Sequence, residues 1–476
     1  MNISDKILNI EKKHNLNSFN VNGFRPWTYI RHIIELKASY KLASTKSLIF
    51  KIIRNLPFML SRKSKLNVKK IDVLFSTSPR RTFIKGLYEC IYTDEIADAF
   101  PNSVTLEQSS FEILTHYTPA KTKNLIYSDR IFVKSCFYLF YEKYVRKSRY
   151  FNAYTQIDSY MRKPLSELFD STDIGVWTEK MTDRYFIYLS MYKSYEQLLQ
   201  RLSPKLVIEV SYYHFDHMVI NELSKKMNIP TIELQHGVII KNSVFNTYYC
   251  ESTSHIPDMV LLFSNYYKDM IRYSIKSHNM IPVGFPYFDK QLQKHKTNNN
   301  TTIGDKVLIF LSSMTDDGFD KIALDVFTRI SKSGWKVIFK LHPWEYNDWA
   351  SRYPILINSD IDVIGNNKKN IYEIFSICHA VVGINSTAIF EAIGFGLPTF
   401  IIDLPGASYV EDLWKNDYAV KVSDCDELCY YIENLDDYDC AKDIEDLWMP
   451  NSLENIKNVI FNLLHDKMVE CKHDKS

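Results

Sequence analysis

The chain has 476 residues and a mass of 56.0 kDa, which at roughly 150 residues per domain excludes a single small module. Hydrophobic residues make up 46%, charged residues 24% and aromatic residues 14%, a composition that can bury sizeable cores and is foreign to disordered or collagen-like chains. With 58 Lys and Arg against 56 Asp and Glu the formal charge is +2, so no global field marks a nucleic-acid binder, and no nucleic-acid partner is expected.

The opening stretch MNISDKILNIEKKHNLNSFN carries charges throughout and has no apolar core of a secretory signal. No run of about 18 apolar residues occurs, which argues against a spanning helix and makes the cytoplasm the expected compartment. Eight cysteines are scattered without a CxxC pair and read as reduced, mostly buried thiols. Residues 1–69 read as a basic helical extension, since eleven Lys or Arg fall between Arg31 and Lys70 against the single acid Glu35. In SLIFKIIRNLPFMLSRKSK the apolar residues interleave with Lys and Arg, as in a helix lying on an anionic lipid surface. Residues 31–70 are therefore a candidate contact with the inner face of the plasma membrane; a solvated basic helix packed on its own domain is the plainer reading.

From Lys70, KIDVLFSTSPRRT reads as a buried strand and its loop, opening a first Rossmann-like domain over 70–295. The aromatic stretch from about 130 to 200 reads as helices with one buried face, its tyrosines lining core and groove. Next, LVIEV, a helix from about 214 to 227 and TIELQ form a βαβ unit, which demands a parallel sheet. DMVLLFS, a helix and MIPVGFPYFD close this half, and KHKTNNNTTIGD has the composition of a linker. A second series over 305–476 runs KVLIFLSS, a helix at 319–332, KVIFKLHP, IDVIG, a helix near 370–377, HAVVGIN, a helix from Ser386, PTFIID and a terminal helix. The class is α/β, and two such domains in succession bring the carboxyl edges of two sheets to a cleft.

Several strand ends carry candidate chemistry. In Gly383-Ile384-Asn385-Ser386-Thr387, continuing to Glu391, a strand enters a helix at a hydroxyl pair, where a cap or a bound phosphate is favoured; Glu391 is placed to accept from a ribose or sugar hydroxyl. His342-Pro343 ends VIFKL, with proline stopping the strand and the imidazole available to a phosphate. Gln235-His236-Gly237 follows TIEL, the glycine permitting a turn and a close backbone approach. Glu209, Tyr212, Tyr213 and His214 end the preceding strand, so Glu209, Tyr213, Gln235 and Gly237 are candidate acceptor contacts. Asp316-Asp317-Gly318 offers a general base, a metal contact or a helix cap. No GxGxxG, Walker A, GxSxG or HExxH element occurs.

LQHGV, KLHP and INSTAIFEAIGFGLP together resemble bacterial GT-B glycosyltransferases of surface-polysaccharide assembly, such as those of capsule, O-antigen and lipopolysaccharide. The likeness covers about 70–465 in element order and about 205–400 in motifs. KLHP and the Ser-Thr pair are similar to the His-Pro and Ser-Ser/Thr motifs of sialyltransferases and Kdo transferases, which implies His342, Pro343, Ser386 and Thr387 at a donor phosphate. Asp316-Asp317-Gly318 looks like their acidic pair, one member of which is the base, although here it follows the linker. His236 is the base if that role lies in the first domain. The resemblance implies sugar transfer from a nucleotide-sugar donor, which is a substrate, to a glycan or lipid-linked glycan acceptor, with no resident cofactor and no metal requirement. The CDP-glycerol phosphotransferases of teichoic acid synthesis share the His-Gly, His-Pro and Ser-Ser/Thr elements and imply alditol-phosphate transfer instead. NDP-sugar 2-epimerases share the two-domain plan. A non-catalytic sugar or nucleotide binder is the remaining alternative.

Overall fold

The computed structural model describes residues 3–39, 54–55, 57–59, 70–110, 114–239, 241, 243–248, 254–272, 275–296, 306–313, 318–366, 369–435 and 444–473. The chain forms two compact units, one of residues 1–263, 267–284 and 451–476, the other of 264–266 and 285–450.

The first unit is built on a seven-stranded sheet. Its strands are β1 (Val73–Ser76), β4 (Ser103–Glu107), β5 (Leu125–Tyr127), β6 (Leu206–Val210), β7 (Thr231–Leu234), β8 (Met259–Leu262) and β9 (Met280–Pro282); β2 (Thr82–Ile84) and β3 (Leu87–Glu89) make a separate antiparallel hairpin. The spatial order is β5-β4-β1-β6-β7-β8-β9, with every pairing parallel. Such strands are buried on both faces, which explains the near-continuous apolar runs VLFS and LVIEV. Chain order along the sheet reverses between β1 and β6, the switch point outside which open α/β sheets bind ligands.

The second unit carries β10 (Lys306–Leu311), β11 (Trp335–Lys340), β12 (Asp362–Ile364), β13 (Ala380–Gly383), β14 (Thr399–Ile402) and β15 (Val420–Val422). They lie in the order β12-β11-β10-β13-β14-β15, again all parallel. Renumbered from its own first strand this is 3-2-1-4-5-6, the doubly wound Rossmann order, and its switch point lies between β10 and β13. The expected α/β class with two Rossmann-like units is the observed one.

The unit boundaries depart from the three expected segments in three places. The helix Pro286–Lys296, read as closing the first half, belongs to the second unit, where Phe288 is fully buried and stacks on Trp448 with ring centroids 4.1 Å apart. The terminal helix Ser452–His473 returns to the first unit, where Ile456 and Ile460 join Ile96, Phe100 and Val283 in one apolar cluster.

The third departure is the N-terminal segment. Ile7, Phe24, Trp27 and Ile34 sit in the main core of the first unit with Tyr185 and Phe186. Arg31, counted in the basic stripe, is fully buried. It pairs twice with Glu11 (Nη2 to Oε2 2.9 Å) and donates to the carbonyls of Val244 and Thr247. Residues 3–35 are thus part of the fold, while 40–53 and 60–69, which hold most of the expected membrane-contacting run, lie outside the described residues. Among the described residues no helix is long and apolar enough to cross a membrane.

Candidate functional site

In the second unit the residues after β10 and β11 meet around one buried carboxylate. Glu345 is fully buried. One of its oxygens accepts from the Ser312 hydroxyl and from the His342 backbone N–H at 3.0 Å; the other accepts from the Tyr353 hydroxyl at 2.7 Å. Ser312 Oγ also accepts from the same His342 N–H at 2.7 Å. The reason is local: His342 is the N-cap of the short turn Pro343–Glu345, Pro343 sits at its first position, and His342 and Glu345 close a capping box, with Trp344 N–H donating to His342 Nδ1 at 3.3 Å. His342 therefore stands fixed at the end of β11, beside the switch point, where the sequence placed it.

On the other side of β10, β13 ends at Gly383 and Ser386 caps the helix Thr387–Gly394, its hydroxyl accepting from Ala388 N–H at 3.3 Å. Thr387 is exposed at the first turn. Apolar packing holds this helix close. A Cβ on Gly383 would come within 2.8 Å of Ile389, and one on Gly394 within 2.8 Å of Phe288 and Trp448. Its first-turn N–H groups and dipole face the carboxyl edge of the sheet, an arrangement that favours an anion. Glu391 accepts from the Tyr372 hydroxyl at 3.1 Å, and burial lifts its carboxyl to about 7. Lys340, at the end of β11, donates to the Tyr346 hydroxyl at 2.7 Å, and burial draws its ammonium down to about 8.

Asp316 and Asp317 lie outside the described residues. The N-cap of the following helix Phe319–Ile330 is Gly318, at φ 89°.

In the first unit, Tyr213 and His236 are brought together, Tyr213 Oη lying 3.0 Å from His236 Nε2, and Tyr92 donates to the His236 carbonyl at 2.7 Å. The His236 side chain is 31% exposed. Desolvation, reinforced by the nearby His214, Arg80 and His217, pushes its imidazole down to about 3, so it is neutral. The other acceptor candidates make contacts within the chain. Gln235 is buried and clips the turn, donating to Gly237 O at 2.8 Å and accepting from Phe263 N–H at 2.7 Å. Glu209 is fully buried and accepts from Asn221 at 2.7 Å, because its strand position points it into the helix packed above. Gly237 has ordinary backbone geometry, and a Cβ there would meet nothing within 4 Å, so no close approach within the chain requires glycine.

Sequence reasoning missed Glu345, although its spacing from His342 is that of a capping box. It also missed a buried ionic network after β1, β4 and β5. There Arg81 pairs with Glu107 and with Asp94 at 3.1 Å, and His116 bridges Glu107 at 2.8 Å and Asp129 at 2.6 Å. Burial opposes the charge on His116, but hydrogen bonds to Asp129 and Glu107 outweigh it and raise its pKa. Among the described residues no three His, Cys, Asp or Glu side chains converge on a metal position.

No family model and no curated protein matches the chain. Among solved structures, the wall teichoic acid polymerase TagF is similar with a TM-score of 0.48 and 14% identity, covering 95% of this chain and 100% of that one. UDP-GlcNAc 2-epimerase from Neisseria meningitidis bound to UDP-GlcNAc gives 0.47 and 11%, covering 82% of this chain and 100% of its own. The Methanocaldococcus jannaschii UDP-GlcNAc 2-epimerase in complex with UDP-GlcNAc and UDP gives 0.40 and 15%, covering 59% and 82%. These similarities assign no residue a role.

Proposed function

We propose that the protein is a glycosyltransferase that takes a sugar from a nucleotide-activated donor and passes it to a glycan or lipid-linked glycan in surface-polysaccharide assembly. The observation that carries this reading is the flanking of one strand, β10, by His342 on one side and by the Ser386-capped helix start on the other, at the switch point of a doubly wound sheet. Backbone N–H groups, a hydroxyl and an imidazole at that edge suit a nucleoside diphosphate, whose charge grows as the sugar departs. In this reading His342, Ser386 and Thr387 hold the phosphates, and the carboxyl of Glu391 accepts from a ribose or sugar hydroxyl. For the acceptor hydroxyl, His236 is the candidate base among the described residues by its place at the end of β7, although its lowered basicity counts against the role; Asp316 and Asp317 are the alternatives.

The test is thermal protection of the full chain by CMP, CDP, UDP and GDP in turn, since a ligand that binds the folded state raises its apparent stability. One nucleotide is expected to protect wild type and to protect His342→Ala less, with turnover falling at least about tenfold in the variant. Protection by none would sink the donor site. Protection by CDP with an alditol phosphate appearing in the product would replace sugar transfer by alditol-phosphate transfer.

A further inference from the structure

The helix Asp129–Tyr144 buries Val133 and Cys136 but leaves its last two turns bare on the other side. Phe137 is 67% exposed, Phe140 55%, Tyr141 50% and Tyr144 56%. These positions follow the i, i+3, i+4, i+7 spacing and so form one stripe, within which the Phe140 and Tyr144 rings pack at 5.1 Å. Val145 (67%) continues it, and Phe151 (64%) stands on the next helix, Lys147–Leu165. The sequence reading assigned these aromatics to core and groove; the structure puts them in water. Large aromatics gathered on one exposed face are unusual on a soluble surface and mark a contact.

The charges beside the stripe indicate the kind of contact. Arg146 and Lys147 are exposed at the turn between the two helices. From Phe137 to Asn152 the only acid is Glu142; its buried carboxylate is taken by Arg149, with Arg146 3.9 Å away, while Lys143 is held by Glu179 and Asp183 of the helix Ser171–Leu202. The bend therefore presents aromatic rings with cationic side chains and no exposed carboxylate of its own. Rings that settle at headgroup depth and cations that meet lipid phosphates have this combination.

We propose that the bend between these two helices is a membrane-surface anchor that inserts Phe137, Phe140, Tyr144 and Phe151 into the headgroup layer of an anionic bilayer, with Arg146 and Lys147 on the lipid phosphates. It stands on the exposed stripe and its charge, independently of the donor site and of residues 40–69.

The test is co-sedimentation of the full chain with phosphatidylcholine vesicles, with and without phosphatidylglycerol, at low and high salt. Wild type is expected to partition onto the anionic vesicles and to leave them as salt rises. The double variant Phe137→Ser/Phe140→Ser should lose at least about tenfold in partition coefficient, with an unchanged melting temperature because both side chains are exposed. Arg146→Ser/Lys147→Ser should lose the preference for phosphatidylglycerol. Undiminished partition of the aromatic variant would overturn the proposal. So would a variant that melts earlier while still binding vesicles, because the stripe would then be packed by the chain itself. Conversion of a wild-type dimer to a monomer by the aromatic variant, with vesicle binding intact, would assign the face to a second copy and overturn it too.

Discussion

Apart from the seventh strand β9 of the first, the two sheets share a strand order, yet the ends of their strands are furnished differently. In the first unit, charge is abundant and paired: Arg81, Asp94, Glu107, His116 and Asp129 interlock after β1, β4 and β5, and Arg31 with Glu11 ties the N-terminal segment to the chain at Val244 and Thr247. In the second unit the strand ends beside the switch point hold hydroxyls, an imidazole and a capped helix start, with one buried carboxylate fixing Ser312 and the His342 turn. The same topology thus serves two ends. Charges whose partners are already supplied by the chain hold loops in place, whereas donors grouped at a helix start remain suited to a ligand anion.

The largest expected effect breaks the paired side of this comparison. Glu11→Ala leaves the Arg31 guanidinium fully buried without its carboxylate, and removing one member of such a pair costs about 3–5 kcal/mol. Urea unfolding followed by the fluorescence of the seven tryptophans, among them Trp27, whose indole N–H donates to Glu11 at 2.8 Å, should show an earlier transition. The double change Glu11→Leu/Arg31→Met should recover part of the loss, because no orphaned charge remains. If Glu11→Ala were neutral, the pair would not hold the N-terminal segment.

A smaller effect, about 2 kcal/mol allowing for partial exposure, tests the second unit. Burial raises Glu391 from the ordinary carboxyl value of 4.5 to about 7, so between those values the folded protein keeps a proton that the unfolded chain releases. Its neutral form favours folding fully below about pH 4.5, and that contribution is lost as pH rises through 7. Glu391→Gln keeps an acceptor for Tyr372 and carries no charge. Its melting temperature should exceed that of wild type at pH 8, with the difference shrinking toward pH 4.5. A pH-independent difference would show that Glu391 titrates normally.

How much of this was legible follows from what each feature depends on. The βαβ unit at 206–234 and the strands β10, β11, β13 and β14 were visible because buried parallel strands read as apolar runs between polar breaks. The strands β5 and β15, three residues each, were missed, whereas β9 and β12, equally short, were found, so length alone does not decide it. β4 was missed although SVTLE alternates polar and apolar residues at the strand period. His342 and Ser386 were found at strand ends, where the order of elements alone places them. Glu11 and Arg31 lie twenty residues apart and Arg81 and Glu107 twenty-six, and nothing in one sequence says which charges will meet. The aromatic stripe at 137–144 shows the same limit, since helical spacing reveals a face without revealing what covers it.

The smallest effect sharpens the comparison most, because it separates the two uses of one hydroxyl. Ser386 Oγ accepts from Ala388 N–H, so Ser386→Ala should cost about 1 kcal/mol as the loss of a helix cap, while Ser386→Asp should restore the cap. A site that only caps predicts that nucleotide protection, measured as the rise over each variant's own melting temperature, is the same in both variants and in wild type. A phosphate at the helix start predicts otherwise. Alanine then loses part of the protection, and aspartate, though the better cap, loses more, because its carboxylate repels the anion that the neutral hydroxyl admits. Stability and binding would move in opposite directions at one residue, an outcome that capping alone does not produce.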